Sequence, residues 1–153
     1  MDLEKETNLL RKVPLFCEFD ASKLKLMGFV SESLTFDAGE TLCHAGEVAD
    51  CVYVILDGQV EILSAHDNSE VVASTLGKHE LVGELGVLRN APRLATVRAK
   101  SKVEAARIAG DLFIKLLTEN PREALEVMRQ LSEKIADLYK KLASAQSESQ
   151  QDS

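Results

Sequence analysis

Apolar and polar positions change rhythm three times along the chain. Over residues 3–33 the apolar positions fall at helical spacing: Leu9, Leu10 and Val13 form one cluster, and Leu24, Met27 and Val30 share one side of a second segment. Pro14 ends or bends the first helix, because its ring keeps the preceding residue out of helical geometry. Asp20 is placed to cap the second. From 34 to 109 the pattern becomes short β-type runs broken by Asp37-Ala38-Gly39, Ala45-Gly46, Asp57-Gly58 and Asp67-Asn68-Ser69. Strands are predicted at 51–56, 59–63, 71–76, 95–99 and 103–108. Asp57-Gly58 between two of these runs predicts a hairpin whose turn needs positive φ at both central positions.

From 111 to 146 the helical period returns. Asp111 caps a short helix over 112–118, and Asn120, Pro121 and Glu123 read as N-cap, first-turn proline and capping-box acid of a long one. Met128, Leu131, Ile135, Leu138, Leu142 and Ala145 alternate by three and four, the a/d seam of nearly three heptads. The polar stretch 147–153 is expected to be a disordered tail. The sum is an α+β, mainly β, single domain over 1–146, a jelly roll or barrel with helices at both ends.

Composition narrows the function. The 153 residues carry 25 Asp plus Glu against 18 Lys plus Arg, a formal charge of −7, which gives no general attraction to nucleic acid or an anionic membrane. Any anion must be held by a local positive site. No stretch approaches the roughly 20 apolar residues of a membrane span, and the N-terminus lacks a signal-peptide pattern. Cys17, Cys43 and Cys51 are odd in number and share no metal or redox spacing, so all three are expected to be small buried hydrophobes in a reducing, cytoplasmic setting.

One segment is unusual for plain structure: Gly83-Glu84-Leu85-Gly86-Val87-Leu88-Arg89-Asn90-Ala91-Pro92-Arg93-Leu94-Ala95-Thr96-Val97. Glycines let a backbone approach a ligand closely, a short helix start offers free N–H groups, and arginine is a permanent multidentate partner for phosphate. A glutamate beside them suits a sugar hydroxyl. Together these residue types describe a pocket for a phosphorylated sugar.

The same segment resembles the phosphate-binding cassette of cyclic nucleotide-binding domains, whose pattern is Gly-Glu-Leu-small-apolar, a spacer, then Arg-x-Ala-Thr-Val. Pro92 before Arg93 is similar to protein kinase A regulatory subunits. Gly46-Glu47, Asp50, Tyr53, Ile55 and Gly58-Gln59-Val60 resemble the family's strand pattern. Val97-Arg98-Ala99-Lys100 and the last two helices resemble the bacterial catabolite activator family. The likeness runs from about Leu10 to Leu142.

The resemblance implies a non-catalytic sensor that binds a cyclic nucleotide without metal. It gives Glu84 the ribose 2′-hydroxyl, Arg93 the exocyclic phosphate oxygens, and the N–H groups around Leu85, Gly86 and Ala95 the rest of the phosphate cradle. Gly83 would let the chain pass close to the ring, and residues 71–76 with Leu81-Val82 would meet the base. A lid from the last helix would draw on Gln130, Leu131, Lys134, Ile135 or Leu138. Cyclic GMP-preferring members often carry threonine after the arginine; Leu94 has no hydroxyl, which favours cyclic AMP.

No helix-turn-helix pattern follows the long helix before Ser153, so a stand-alone sensor without DNA binding is expected, with an unidentified protein partner and a homodimer through residues 121–145. The alternatives are a ligand-free scaffold or dimerisation module of the same fold, and a cupin-type metalloenzyme drawing on His44, His66, His79, Glu47 and Glu80.

Overall fold

The structure is a computed structural model that describes residues 3–66 and 69–151. It divides into two compact units, one up to Leu116 and one from Leu117 onward. The first opens with helix α1 (Leu3–Arg11), a 3-10 turn (Pro14–Phe16) and helix α2 (Ala21–Val30). Pro14 stands at the start of the turn, where its missing N–H costs nothing. Asp20 caps α2 as expected, accepting from the Lys23 N–H at 2.8 Å.

Eight strands follow: β1 (Glu32–Phe36), β2 (Thr41–Cys43), β3 (Cys51–Asp57), β4 (Val60–His66), β5 (Ser69–Leu76), β6 (Leu81–Val82), β7 (Thr96–Ala99) and β8 (Val103–Ala109). They form two four-stranded antiparallel sheets, ordered β1-β8-β3-β6 and β2-β7-β4-β5. The α+β jelly-roll reading holds, although helix outweighs strand because the last helix alone runs 31 residues. Alternate residues of both sheets meet in one core that includes Cys43, Tyr53, Ile55, Val60, Val97 and Val103. The first six residues of β3 are all buried. One face of β3 supplies that core, while α1 meets β3 and α2 meets β8, so this sheet is covered on both sides. A strand buried on both faces reads as an unbroken apolar run rather than an alternating one.

The expected hairpin at Asp57-Gly58 is not one. β3 pairs with β6 and β8, while β4 pairs with β5 and β7, so this turn carries the chain from one sheet to the other. Only Gly58 has positive φ there, at 90°. Its backbone passes so near the 102–103 segment that a Cβ would lie 2.2 Å from the Lys102 carbonyl oxygen. Glycine is required by a crossing of chains, not by a two-residue hairpin. The hairpin partner of β4 is β5, through residues 67–68, which lie outside the described residues.

Helix α3 (Glu84–Arg89) interrupts the strands between β6 and β7, and α4 (Gly110–Thr118) leaves β8 directly. Asp111 Oδ1 accepts from the Leu112 N–H at 2.8 Å. The second unit is dominated by α5 (Pro121–Gln151), capped by Asn120 Oδ1 on the Arg122 N–H at 2.9 Å. Its backbone continues past 146 to Gln151, where a disordered tail is expected from sequence. No glycine or proline follows Pro121 to stop it. Cys43 and Cys51 are buried, but Cys17 is exposed, against the expectation for it, because it ends the Pro14–Phe16 turn at the surface.

Candidate functional site

The site grows from a strand, a tight turn and a single helical turn and a half. Gly83 follows β6 with φ of 87°, a left-handed conformation that glycine adopts without strain, and the chain then enters α3. At its far end Asn90, at φ 51°, closes the helix through N–H bonds to the Gly86 and Val87 carbonyls. Gly86 is tightly packed, since a Cβ there would stand 2.5 Å from Ala49 Cβ. After Pro92 the chain reaches Arg93 and then β7.

Arg93 is held at both ends. Its N–H donates to the Glu47 carbonyl and its own carbonyl accepts from the Gly46 N–H, both at 2.8 Å. Its side chain turns inward and is only 6 % exposed. Nη1 donates to the Gly83 carbonyl at 2.9 Å, and Nη2 to the Cys51 carbonyl at 2.7 Å with Cys51 Sγ at 3.4 Å. No carboxylate pairs with this guanidinium among the described residues. Its Nε is buried without a hydrogen-bond partner among them. A buried charge that lacks a counter-charge is costly, and a buried donor left unmade costs further. An anion beside Arg93 answers both.

A cavity of about 150 Å³ opens here. All seven cassette positions expected from sequence line it: Gly83, Glu84, Leu85, Gly86, Arg93, Leu94 and Ala95. Leu85 and Leu94 are exposed, so apolar side chains stand at the cavity's solvent side. Of the predicted base-contacting stretch, Leu76, Leu81 and Val82 line the cavity; Val71 and Val72 do not, and both are about half exposed on β5. Cys43, Ile62 and Val97 also line it, and the sequence reading gave none of the three a place at the ligand. The alternation of β7, with Val97 and Ala99 buried between Thr96 and Arg98, carries that signal for Val97. The Cys51 carbonyl is a backbone acceptor and has no side-chain signature.

Gly83 acquires a firmer role than closeness to a ligand. A Cβ there would lie 2.3 Å from Arg93 Nη1. The lid candidates Gln130, Leu131, Lys134, Ile135 and Leu138 all belong to α5, in the second unit. Among the described residues, no three His, Cys, Asp or Glu side chains come together as a metal site would need. None of the helices over the described residues is long and apolar enough to cross a membrane.

Two further groups border the cavity region. Burial pushes the Cys43 thiol up from its ordinary pKa, opposed in part by the charge of Arg93. Burial likewise raises Tyr53, whose hydroxyl donates to the Leu42 carbonyl at 3.2 Å.

Residues 33–120 match the family model described as a cyclic nucleotide-binding domain. A lysophospholipase of Neosartorya fischeri is 31 % identical over 114 residues, covering 74 % of this chain but 8 % of that protein. The regulatory domain of Toxoplasma gondii PKA, solved with cAMP, superposes with a TM-score of 0.71 at 27 % identity, over 74 % of this chain and 44 % of that one. The regulatory subunit of a protein kinase A from Trypanosoma brucei described as cAMP-independent gives 0.75 at 26 % identity, over 86 % and 47 %. The chain thus spans a small part of the curated relative and under half of these two kinase regulatory chains.

Proposed function

Since the chain belongs to the cyclic nucleotide-binding domain family, we propose that it binds cyclic AMP in preference to cyclic GMP, at the cassette cavity, as a non-catalytic sensor. The observation that carries this reading is Arg93: a buried guanidinium with an unsatisfied Nε, no carboxylate partner among the described residues, and a position in a cavity large enough to admit a phosphate. Nη1 and Nη2 each give one hydrogen to a backbone carbonyl, which fixes the plane of the guanidinium. The Nε–H and the second Nη1 hydrogen serve the exocyclic oxygens of the phosphate.

The other positions follow. Glu84 takes the ribose 2′-hydroxyl, and the first N–H groups of α3, at Leu85 and Gly86, with that of Ala95, complete the cradle. Leu76, Leu81 and Ile62 offer apolar surface to the base. Leu94 brings no hydroxyl to a guanine amino group, which supports adenine. Binding then draws α5 over the base, and the altered helix surface is offered to a protein partner or a second copy. Such movement requires that the ligand contact one state better than the other. The one apolar α5 stripe, half or more exposed at Met128, Ile135, Leu138 and Leu142, supports a homodimer through residues 121–145.

Calorimetric titration with cyclic AMP, cyclic GMP and 5′-AMP tests the proposal. Cyclic AMP is expected to bind tightest. Equal affinity for both cyclic nucleotides would remove the Leu94 argument, and absence of binding by any would leave a scaffold of the same fold.

A further inference from the structure

One turn between the sheets carries two anomalies for which the binding of a nucleotide has no use. Residues 77–80 take the chain from β5, at the edge of one sheet, to β6, at the edge of the other. The turn closes on itself through the Glu80 N–H, which donates to the Gly77 carbonyl at 3.1 Å. It is fastened to β3 by the His79 N–H on the Ile55 carbonyl at 2.8 Å and the Ile55 N–H on the Glu80 carbonyl at 3.0 Å. His79 stands in the left-handed region at φ 71°, where only Asn90 joins it among the described non-glycine residues. Its Nδ1 is buried without a hydrogen-bond partner among the described residues, a state it shares with Arg93 Nε. An orphaned buried nitrogen on a left-handed backbone asks for a reason. The charges around the ring are of one sign. Burial first, then the ammonium groups of Lys12, just past α1, and of Lys78, hold the imidazole below its ordinary pKa of 6.5. The adjacent acid, Glu80, has its Oε2 on the Gly77 N–H at 2.8 Å instead.

We propose that His79 is a pH-sensitive pin on the cavity wall: while neutral it keeps the 77–80 turn closed on β3, and on protonation the turn opens and frees Leu76, Leu81 and Val82, the cavity residues on either side of it. A neutral ring with an orphaned imine nitrogen forfeits one acceptor bond. Protonated, the same atom is a buried charged donor with no acceptor, beside two ammonium groups. Opening gives the ring to water, where it titrates near its ordinary value, whereas the closed turn holds it neutral to lower pH. The closed form is therefore at full strength above about pH 6.5 and is lost as pH falls below it. Linkage caps the gain in opening at about tenfold at about pH 5.5, one unit below the ordinary value. The inference needs the turn and its ring, not the identity of the ligand.

Amide hydrogen exchange in the intact chain tests this, read at Ile55, at His79 and along the turn between about pH 7.5 and about pH 5.5 and corrected for the intrinsic pH dependence of exchange. Opening should rise by about threefold to tenfold in the wild-type chain as pH falls. His79→Asn keeps a residue that tolerates the left-handed region but does not titrate, and should remove the rise. Lys12→Gln with Lys78→Gln leaves the ring in place, and should reduce the rise by taking away the like charges. No rise in the wild-type chain, or a rise undiminished in either variant, would overturn the proposal. A responsive turn in a chain that fails to bind cyclic AMP would leave the pin standing and remove the nucleotide reading; cyclic AMP binding with an unresponsive turn would do the reverse.

Discussion

At the scale of single residues, the site is an exercise in keeping one cation buried. Two backbone carbonyls, that of Gly83 in the turn after β6 and that of Cys51 at the start of β3, orient Arg93. Gly83 is the pivot, being both left-handed in φ and in contact with the guanidinium. Gly83→Ala should destabilise the fold by roughly 1–2 kcal/mol through the left-handed strain, and should weaken nucleotide binding about tenfold or more as Cβ displaces the guanidinium. Denaturant melts and titration of that variant check both. Tyr53 and Cys43 set the alkaline limit. Each is a neutral acid whose folded pKa lies above its unfolded value of 10.0 or 9.0, mainly through burial. The unfolded chain therefore releases these protons first, so their contribution to stability is complete below about pH 9 and declines as pH rises beyond it. Melting temperature should be flat across this window up to about pH 9 and then fall, with a shallower fall above pH 10 in Tyr53→Phe. The residue types of the cassette were legible in sequence. The Cys51 carbonyl and the cavity wall at Cys43 and Ile62 were not, because they depend on which strands are brought face to face.

At the scale of elements, local signals worked where the physics is local. Asp20 and Asn120 accept the N–H bonds of the caps their sequence contexts predict, whereas Asp111 lies in the first turn of α4, which starts one residue earlier at Gly110, and accepts only from the adjacent Leu112 N–H. Asp57-Gly58 failed because a glycine that escapes a close chain crossing and a glycine in a hairpin turn leave the same mark in sequence; only pairing with distant β8, β6 and β7 tells them apart. Helix α5 shows the opposite case. Its heptad seam is plain in sequence, and the structure leaves Ile135 and Leu138 63 % and 64 % exposed. Exposed contiguous apolar surface of this kind marks an interaction site. Ile135→Glu with Leu138→Glu should convert the proposed dimer to a monomer in light scattering while leaving the two-sheet fold intact by circular dichroism. A wild-type chain that is monomeric across accessible concentrations would contradict the α5 interface.

At the scale of the whole molecule, an acidic chain keeps one cation, Arg93, buried among the described residues. With a net charge of −7, long-range attraction would not bring a phosphate in, so the proposed binding rests on local compensation of Arg93. The two sheets position this site by carrying Cys51 and Gly83 on one and the strand after Arg93 on the other. The account therefore turns on one residue, and titration of cyclic AMP into wild type, Arg93→Lys and Arg93→Ala tests it most directly. Arg93→Ala should lose about 2–5 kcal/mol of binding, as for truncation of one partner of a buried charge pair. Arg93→Lys should recover only part, since an ammonium cannot reproduce the planar fork. An unchanged dissociation constant in Arg93→Ala, with the variant shown to be folded, would contradict the assignment of the cavity as a phosphate site.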